Sequence, residues 1–437
     1  MKKKKIYMIL ISITFLLLVG SIIFSLLRDH DPYRYFTGMG SSFDLSPDEE
    51  DYLFSYYTDG KESIYRSNVD GTEMKKVADS ASERLHSPRY SIDGTKILFL
   101  AKNAESINTL YIADENGSNQ KILTSDKMHV SEAVFSVTGE QIYFIGTPAA
   151  DFKKAEGETT EGYDLFVVDI ASGKTEQLTN QDYFTMDFLS ASQDGKEIYY
   201  SLFDGNREKV TAFSLEEGLE KEAQGSNRLP KDTYSFRYSP DGSKIAYTTI
   251  SEESLDSSLF EYELFLLDLE GRQTKRLTNL DSSVVSPIFF KGQNQIAFLE
   301  NTNWPADPAE HALKVVDLDT EKIHSIEFAS FPQASSHWFM KTIDTFANSV
   351  TVAVLYVILL GLFSTYLSFY HSKKKSYLPA TVSLAITVLV FISSFVVAFV
   401  VDPWYGIGLG MLAAALLGCT LVAFGYAFAL NFFKKKN

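Results

Sequence analysis

One cysteine occurs in 437 residues, Cys419, and it lies inside an apolar run. No disulfide can therefore staple any part of the chain, and no thiol follows the first apolar run to carry a lipid. Catalytic motifs are missing as well. There is no G-x-S-x-G elbow, no H-E-x-x-H helix, no P-loop and no G-x-G-x-x-G fingerprint. The seven histidines, His30, His86, His129, His311, His324, His337 and His371, fall at no zinc-ligand spacing. The stretch DENGSN (114–119) places its glycine too early for a calcium loop and lacks the closing glutamate, so it reads as a hairpin turn. These absences exclude nucleotide-driven, dinucleotide-dependent and zinc-hydrolase classes. No catalytic residue, metal ligand or cofactor is assigned, and the chain is expected not to be an enzyme.

Charge is missing from four long stretches, residues 6–27, 346–370, 378–401 and 404–433; Asp402 sits between the last two. Each exceeds the roughly 20 residues that cross a bilayer core of about 30 Å. Four transmembrane helices are expected. The first run is too long for a signal-peptide core and no small-x-small site follows it, so an uncleaved anchor is expected. The short turn VDPWYG (401–406) has no Lys or Arg, whereas lysines cluster at 2–5, 373–375 and 434–436. The positive-inside rule then places residues 1–5, 371–377 and 434–437 in the cytoplasm and residues 28–345 outside. The expectation is a multi-pass cell-membrane protein with both termini cytoplasmic. No ionisable residue lies mid-membrane, which argues against an ion-coupled pump.

Residues 28–345 carry 30 Lys and Arg against 55 Asp and Glu, while the rest carries 10 against 1. An outer domain this acidic should repel nucleic acid. What this domain does contain is a repeat. LSPDEEDYLFSYY starts at Leu45, YSIDGTKILFLA at Tyr90, FSVTGEQIYFIG at Phe135, ASQDGKEIYYSL at Ala191, YSPDGSKIAYTT at Tyr238, and a degenerate FFKGQNQIAFLE at Phe289. Asp48, Asp93, Thr138, Asp194 and Asp241 hold equivalent places, 45, 45, 56 and 47 residues apart. In S-x-D-G, Asp accepts from amides ahead of it and Gly takes a positive φ. The apolar, β-branched run that follows is a strand, and a second hairpin ending in LT comes after it. Four short strands per repeat of this length predict an all-β, six-bladed β-propeller, with a sandwich disfavoured by the fixed spacing.

SPDGSKIAY followed by G…RLT resembles the WD40-like repeat of TolB-type propellers, over residues 43–328. The resemblance implies a propeller in a bacterial envelope protein and says little of function. Copies one, three and six depart from the pattern: Glu49 replaces Gly, SVTG lacks Asp, and FKGQ lacks Ser and Asp, so their turns need not be shaped alike. The activity of peptidase relatives does not carry over, because apolar helices stand where a hydrolase domain would be. The domain plan is a linker at 28–42, the propeller at 43–328 and a linker at 329–345, whose Trp338 and Phe339 have interfacial character.

Binding is the expected role. Insertions lengthen hairpins in repeats three, five and six, and Phe152, Phe260, Tyr262 and Trp304 are aromatic anchors among their polar residues. On the last helix Gly406, Gly410, Ala414 and Gly418 form a small-residue stripe suited to helix packing. The expected partner is an envelope protein, peptide or glycan, with a membrane-protein complex or a homo-oligomer as further associations. Two other readings stand beside a scaffold, sensor or accessory subunit. One is an accessory component of membrane transport or assembly; the other is an envelope hydrolase with an unrecognised site.

Overall fold

The structure, a computed structural model, describes residues 2–155, 157–203, 205–329 and 335–436. Residues 330–334 of the expected second linker, with Met1 and Asn437, lie outside the described residues. The chain divides into two compact units, Asp31–Ser335 and Met1–His30 with Ser336–Asn437. Each is described by itself.

The first unit is propeller-like. Its described strands fall into consecutive groups of four, each an antiparallel meander. The first group is Gly38–Leu45, Asp51–Thr58, Lys61–Asn68 and Lys75–Ala78. The second is Arg84–Tyr90, Lys96–Lys102, Asn108–Asp114 and Lys121–Ile122. Four more groups follow in the same order, beginning at Met128, Met186, Phe236 and Ser283. Single backbone pairings join groups five and six (Tyr262 with Ser283) and groups six and one (His311 with Met39).

The turn chemistry explains where each second strand begins. In the second group Ser91 Oγ donates to Asp93 (2.6 Å), the Lys96 amide donates to Ser91 Oγ (3.0 Å), and Gly94 sits at φ +73°. The same bonds recur at Ser192 and Asp194, and at Ser239 and Asp241. The departing copies keep the shape more closely than their letters suggest. Thr138 substitutes for Asp, its hydroxyl 3.1 Å from Ser136 Oγ. Glu49 takes the positive φ (+62°) that Gly holds elsewhere. The sixth turn keeps only the closing backbone bond, Phe290 N–H to Gln295 O at 3.0 Å. Its free amides at Lys291 and Gly292 donate to the Glu49 carboxylate of the first group, which stands in for the missing Asp.

The strand after each turn is buried on both faces. It carries one aromatic at the same place in every repeat: Phe54, Phe99, Phe144, Tyr200, Tyr247 and Phe298, all essentially without exposure. The apolar clusters lie between groups rather than within them. Leu53 and Ile64 pack with Ile97 and Phe99, Leu98 and Leu100 with Phe144 and Val168, and so on around the chain. Phe54, Tyr56 and Tyr65 of the first group pack with Leu299, Leu313 and Val315 of the sixth. Truncating one of these rings to alanine costs about 3–5 kcal/mol, a large share of the 5–15 kcal/mol typical of a domain.

Both edges of this unit differ from the expected boundaries. The segment expected as a linker at 28–42 already pairs as a strand from Gly38, because GMGSS lacks alternation and reads as a loop. Gly40 is required there: a Cβ would collide with Ser55 Oγ. Upstream, Tyr33 stacks on Tyr57 (4.7 Å) and Asp31 pairs with Arg84, whose guanidinium lies over both rings. At the other end Phe328 packs on Phe54 (4.8 Å) and the Ala329 amide donates to Gly71 O (2.9 Å).

Among the described residues, the second unit contains four helices long and apolar enough to cross a membrane: Lys3–Leu27, Ser349–Tyr370, Lys373–Val400 and Pro403–Phe433. The second begins at Ser349 rather than 346, since Asn348 caps it by accepting from the Thr351 amide (2.9 Å); a separate helix, Trp338–Phe346, precedes it. Asp402 caps the last helix through the Trp404 amide (2.7 Å). Hydroxyls join the helices: Tyr356 OH to Ser383 (2.8 Å), Ser383 to Thr420 (2.6 Å), and Thr365 to Tyr426 (2.7 Å).

The small-residue stripe divides in this packing. Gly406 does abut Ala398 so closely that a Cβ would clash, and Gly410 lies near Ser394. Ala414 and Gly418 face outward, and Ala413, Thr420, Ala423 and Ala427 are the buried positions. Each four-residue step overshoots a 3.6-residue turn by about 40°, so the stripe rotates off the contact face.

Glu62 is fully buried against Tyr57 and Ser55, and burial pushes its carboxyl up to about 7. A carboxyl raised on folding favours the fold fully below its unfolded value of about 4.3 and loses that contribution as pH rises through the folded value. Glu62→Gln should flatten the fall in stability between pH 5 and 8.5, gaining on the order of 2–3 kcal/mol at the alkaline end. Denaturant midpoints followed by near-UV dichroism measure this. Equal slopes in both proteins would contradict it. Asp187, raised by burial to about 6, leaves a residual slope at lower pH.

Candidate functional site: an aromatic mouth and a cationic waist

Two cavities open between the inner strands of the β unit. One, about 770 Å³, lies among the S-x-D-G turns, lined by Ser91, Asp194, Ser239 and Asp241. The other, about 470 Å³, opens on the opposite side near Trp304 and Tyr262. Arg237 and Ile288 line both, so the two meet at a waist.

Aligning the repeats assigns the waist. The residue two before each turn serine (Phe290 in the sixth copy) is Asp44, Arg89, Val134, Ser190, Arg237 and Ile288. Asp44 accepts from the Tyr90 amide (2.8 Å), and Arg89 donates to Phe43 O (2.9 Å), so repeats one and two satisfy each other. Glu132, lining the same cavity, accepts from the Phe188 and Leu189 amides (2.9 and 2.8 Å). Arg237 is different. Its Nε is buried without a hydrogen-bond partner. Burial first, then the like charge of Arg89, lowers it to about 10, with Asp44 and Glu132 opposing; it remains a cation at neutral pH.

The second mouth is aromatic. Phe188, Tyr234, Tyr262 and Trp304 form a continuous row, with ring centroids 5.3, 5.4 and 6.4 Å apart. The Trp304 indole N–H donates to Phe260 O (2.9 Å), which fixes the ring and spends its polar atom. Three of the four sequence-identified aromatics therefore meet here, although Phe260 contributes its carbonyl while its ring stays exposed. Phe152 stands elsewhere, stacked on His129 of its own group at 3.6 Å, in the short helix Ala149–Phe152. Phe188 and Tyr234 were missed because they belong to the repeat itself; Phe188 sits at a bulge with φ +59°.

No protein-family model matches this chain, and no curated protein matches it. Among solved structures it is similar to TolB from Acinetobacter baumannii, with 16% identity over 65% of this chain and 62% of that one, TM-score 0.48. It is also similar to putative TolB from Agrobacterium tumefaciens (17%, 56% and 85%, TM-score 0.43) and to oligogalacturonate lyase from Vibrio parahaemolyticus (12%, 65% and 92%, TM-score 0.48). The chain thus spans under two thirds of the first of these.

One further cluster borders the cavity. Ser87, at φ +50°, lies with Oγ 2.9 Å from His86 Nδ1. His86 Nε2 is 3.2 Å from Asn108 Oδ1, and Asn108 Nδ2 donates to Val130 O (3.0 Å). That second bond orients the amide so that Oδ1 accepts from Nε2–H, leaving Nδ1 to accept the serine proton. Burial lowers His86 to about 4, which makes it neutral and a weak base. Among the described residues no group of His, Cys, Asp and Glu is placed to hold a metal ion.

Within the insertion carrying Phe152, one carboxylate gathers several donors, beside the Phe152–His129 stack and the Lys153–Glu105 ion pair. Asp151 accepts from Lys154 Nζ (2.7 Å), the Thr160 amide (2.8 Å) and the Thr160 hydroxyl (2.9 Å), which hold it well below the usual carboxylate range. Asp151→Ala should release the loop and speed tryptic cleavage after Lys153 or Lys154 at least tenfold, while the global unfolding midpoint stays nearly constant. Unchanged cleavage would show that the loop is held by other contacts.

Proposed function

We propose that this chain is a membrane-anchored, six-bladed closed propeller facing the outside of a bacterial cell. Its channel binds a polypeptide segment of an envelope partner without catalysis. The observation that carries this reading is the aromatic row Phe188–Tyr234–Tyr262–Trp304 opening onto a cavity that leads to the Arg237 cation. Rigid rings with spent or edge-placed polar atoms suit a peptide chain, and large fixed aromatics are the residues in which interface energy concentrates. The four apolar helices and the three lysine clusters support the anchored, outward-facing arrangement.

The test places a photo-crosslinking residue at Tyr234, which is half exposed, in the full chain on intact cells. Capture of one discrete, protease-sensitive partner is expected, and Trp304→Ala should reduce it at least tenfold. Capture unaffected by Trp304→Ala, or a protease-resistant glycan adduct, would contradict the reading. A Ser258→Cys, Cys419→Ala variant should react with an impermeant thiol reagent before the cells are broken. Labelling only after lysis would place the domain in the cytoplasm.

A second reading, a hydrolase, draws on Ser87, His86 and Asn108. It expects covalent labelling of Ser87 by a fluorophosphonate, abolished by His86→Ala. The binding reading expects none.

A further inference from the structure

The waist has an unmet electrostatic demand. Around the six equivalent positions, Arg89 finds the Phe43 carbonyl, and Asp44 and Glu132 are engaged by backbone amides. Arg237 is flanked in the repeat order by Ser190 and Ile288, neither of which carries an anion; Asp44 and Glu132 favour its charged form but neither is hydrogen-bonded to it. No hydrogen bond or ion pair to the Arg237 side chain occurs among the described residues, and its Nε is shut off from solvent. Ser131 Oγ, lining the same cavity, and Ser190 Oγ at the neighbouring repeat position are also buried without a partner. A guanidinium presents a planar fork of donors, and a buried one left unpaired is costly. Arg237 lines both cavities, so the wall offers its cation to whatever enters from either mouth.

Resting on the polypeptide reading above, we infer that Arg237 is a recognition site for a carboxylate carried by the bound segment, with the aromatic row holding the residues beside it. A planar carboxylate accepts two parallel N–H bonds from one guanidinium, a match that a carboxamide cannot supply with charge. The rest of the domain sets the carrier. With 55 acidic against 30 basic residues between 28 and 345, the outer surface repels a polyanion at long range. A neutral or basic segment presenting a single carboxylate passes that field and finds its complement at the waist.

Full-length protein in nanodiscs is titrated with three pools of fluorescent hexapeptides. The first lacks Asp and Glu and ends in a free carboxylate. The second has the same composition and ends in a carboxamide. The third is amidated with one Asp or Glu per peptide. At least one carboxylate-bearing pool is expected to bind tenfold or more tightly than the neutral amidated pool; the first against the third tells a chain terminus from a side chain. Arg237→Gln should erase that difference, and Arg237→Lys should keep part of it, with the fold checked by near-UV dichroism. Equal affinity of all pools, all weakened by Trp304→Ala, overturns the carboxylate site and leaves the polypeptide reading standing. A preference that survives Arg237→Gln also overturns it. Binding of no pool contradicts both.

Discussion

Each four-stranded group exposes two apolar faces, and neither can be buried by the group itself. That is the constraint from which the rest of the β unit follows. Every cluster of buried side chains in this unit takes residues from two groups, and the one that completes the series joins the first group to the sixth. A ring is the arrangement in which no such face is left over. The join is also where the sequence departs most from its repeat. Glu49 occupies glycine's place in its own turn and satisfies amides that the degenerate sixth turn leaves open.

The proposed closure of the ring produces a channel whether or not function asks for one, and the inner strands decide what lines it. In this chain the turn mouth is hydroxyl- and carboxylate-rich, the opposite mouth is aromatic, and the waist between them holds Arg89 and Arg237 beside the amide-bound carboxylates Asp44 and Glu132. The acidity of the surface and the cationic waist work at different ranges. The first keeps polyanions away over about a Debye length. The second acts only on a group that has already entered. Insertions in repeats five and six, through Tyr262 and Trp304, extend the wall of the aromatic mouth.

Much of this was legible in the residues. The repeat fixed the strand order because turn chemistry and apolar alternation agree in most copies. Trp304, Tyr262 and Phe260 were recognisable as large apolar side chains out of place in polar insertions. Other features were hidden for physical reasons. The strand Gly38–Leu45 has no alternation to read, since Gly40 serves a close approach to Ser55 rather than a pattern. Arg237 looks like any surface arginine until the repeats are superposed and its equivalents are seen to ring a channel. The hydrogen bonds of Ser87, His86 and Asn108 join two strands, a relation that spacing along the chain does not carry. The small-residue stripe packs within the unit only at Gly406 and Gly410, because four-residue steps do not track a helix of 3.6 residues per turn.

Ring closure is the claim on which channel, mouth and waist all depend. Met39 and His311 are paired across the join between the first and last groups, with Cys419 the only native thiol. Cysteines at these two positions in a Cys419→Ala background sit directly opposite each other in an antiparallel pair, about 4.5–5.5 Å between Cα atoms and within disulfide reach. Mild oxidation should give a crosslink within one chain, near-complete and without loss of near-UV dichroism. No crosslink, or a crosslink found only between two chains, would mean that the groups do not close on themselves.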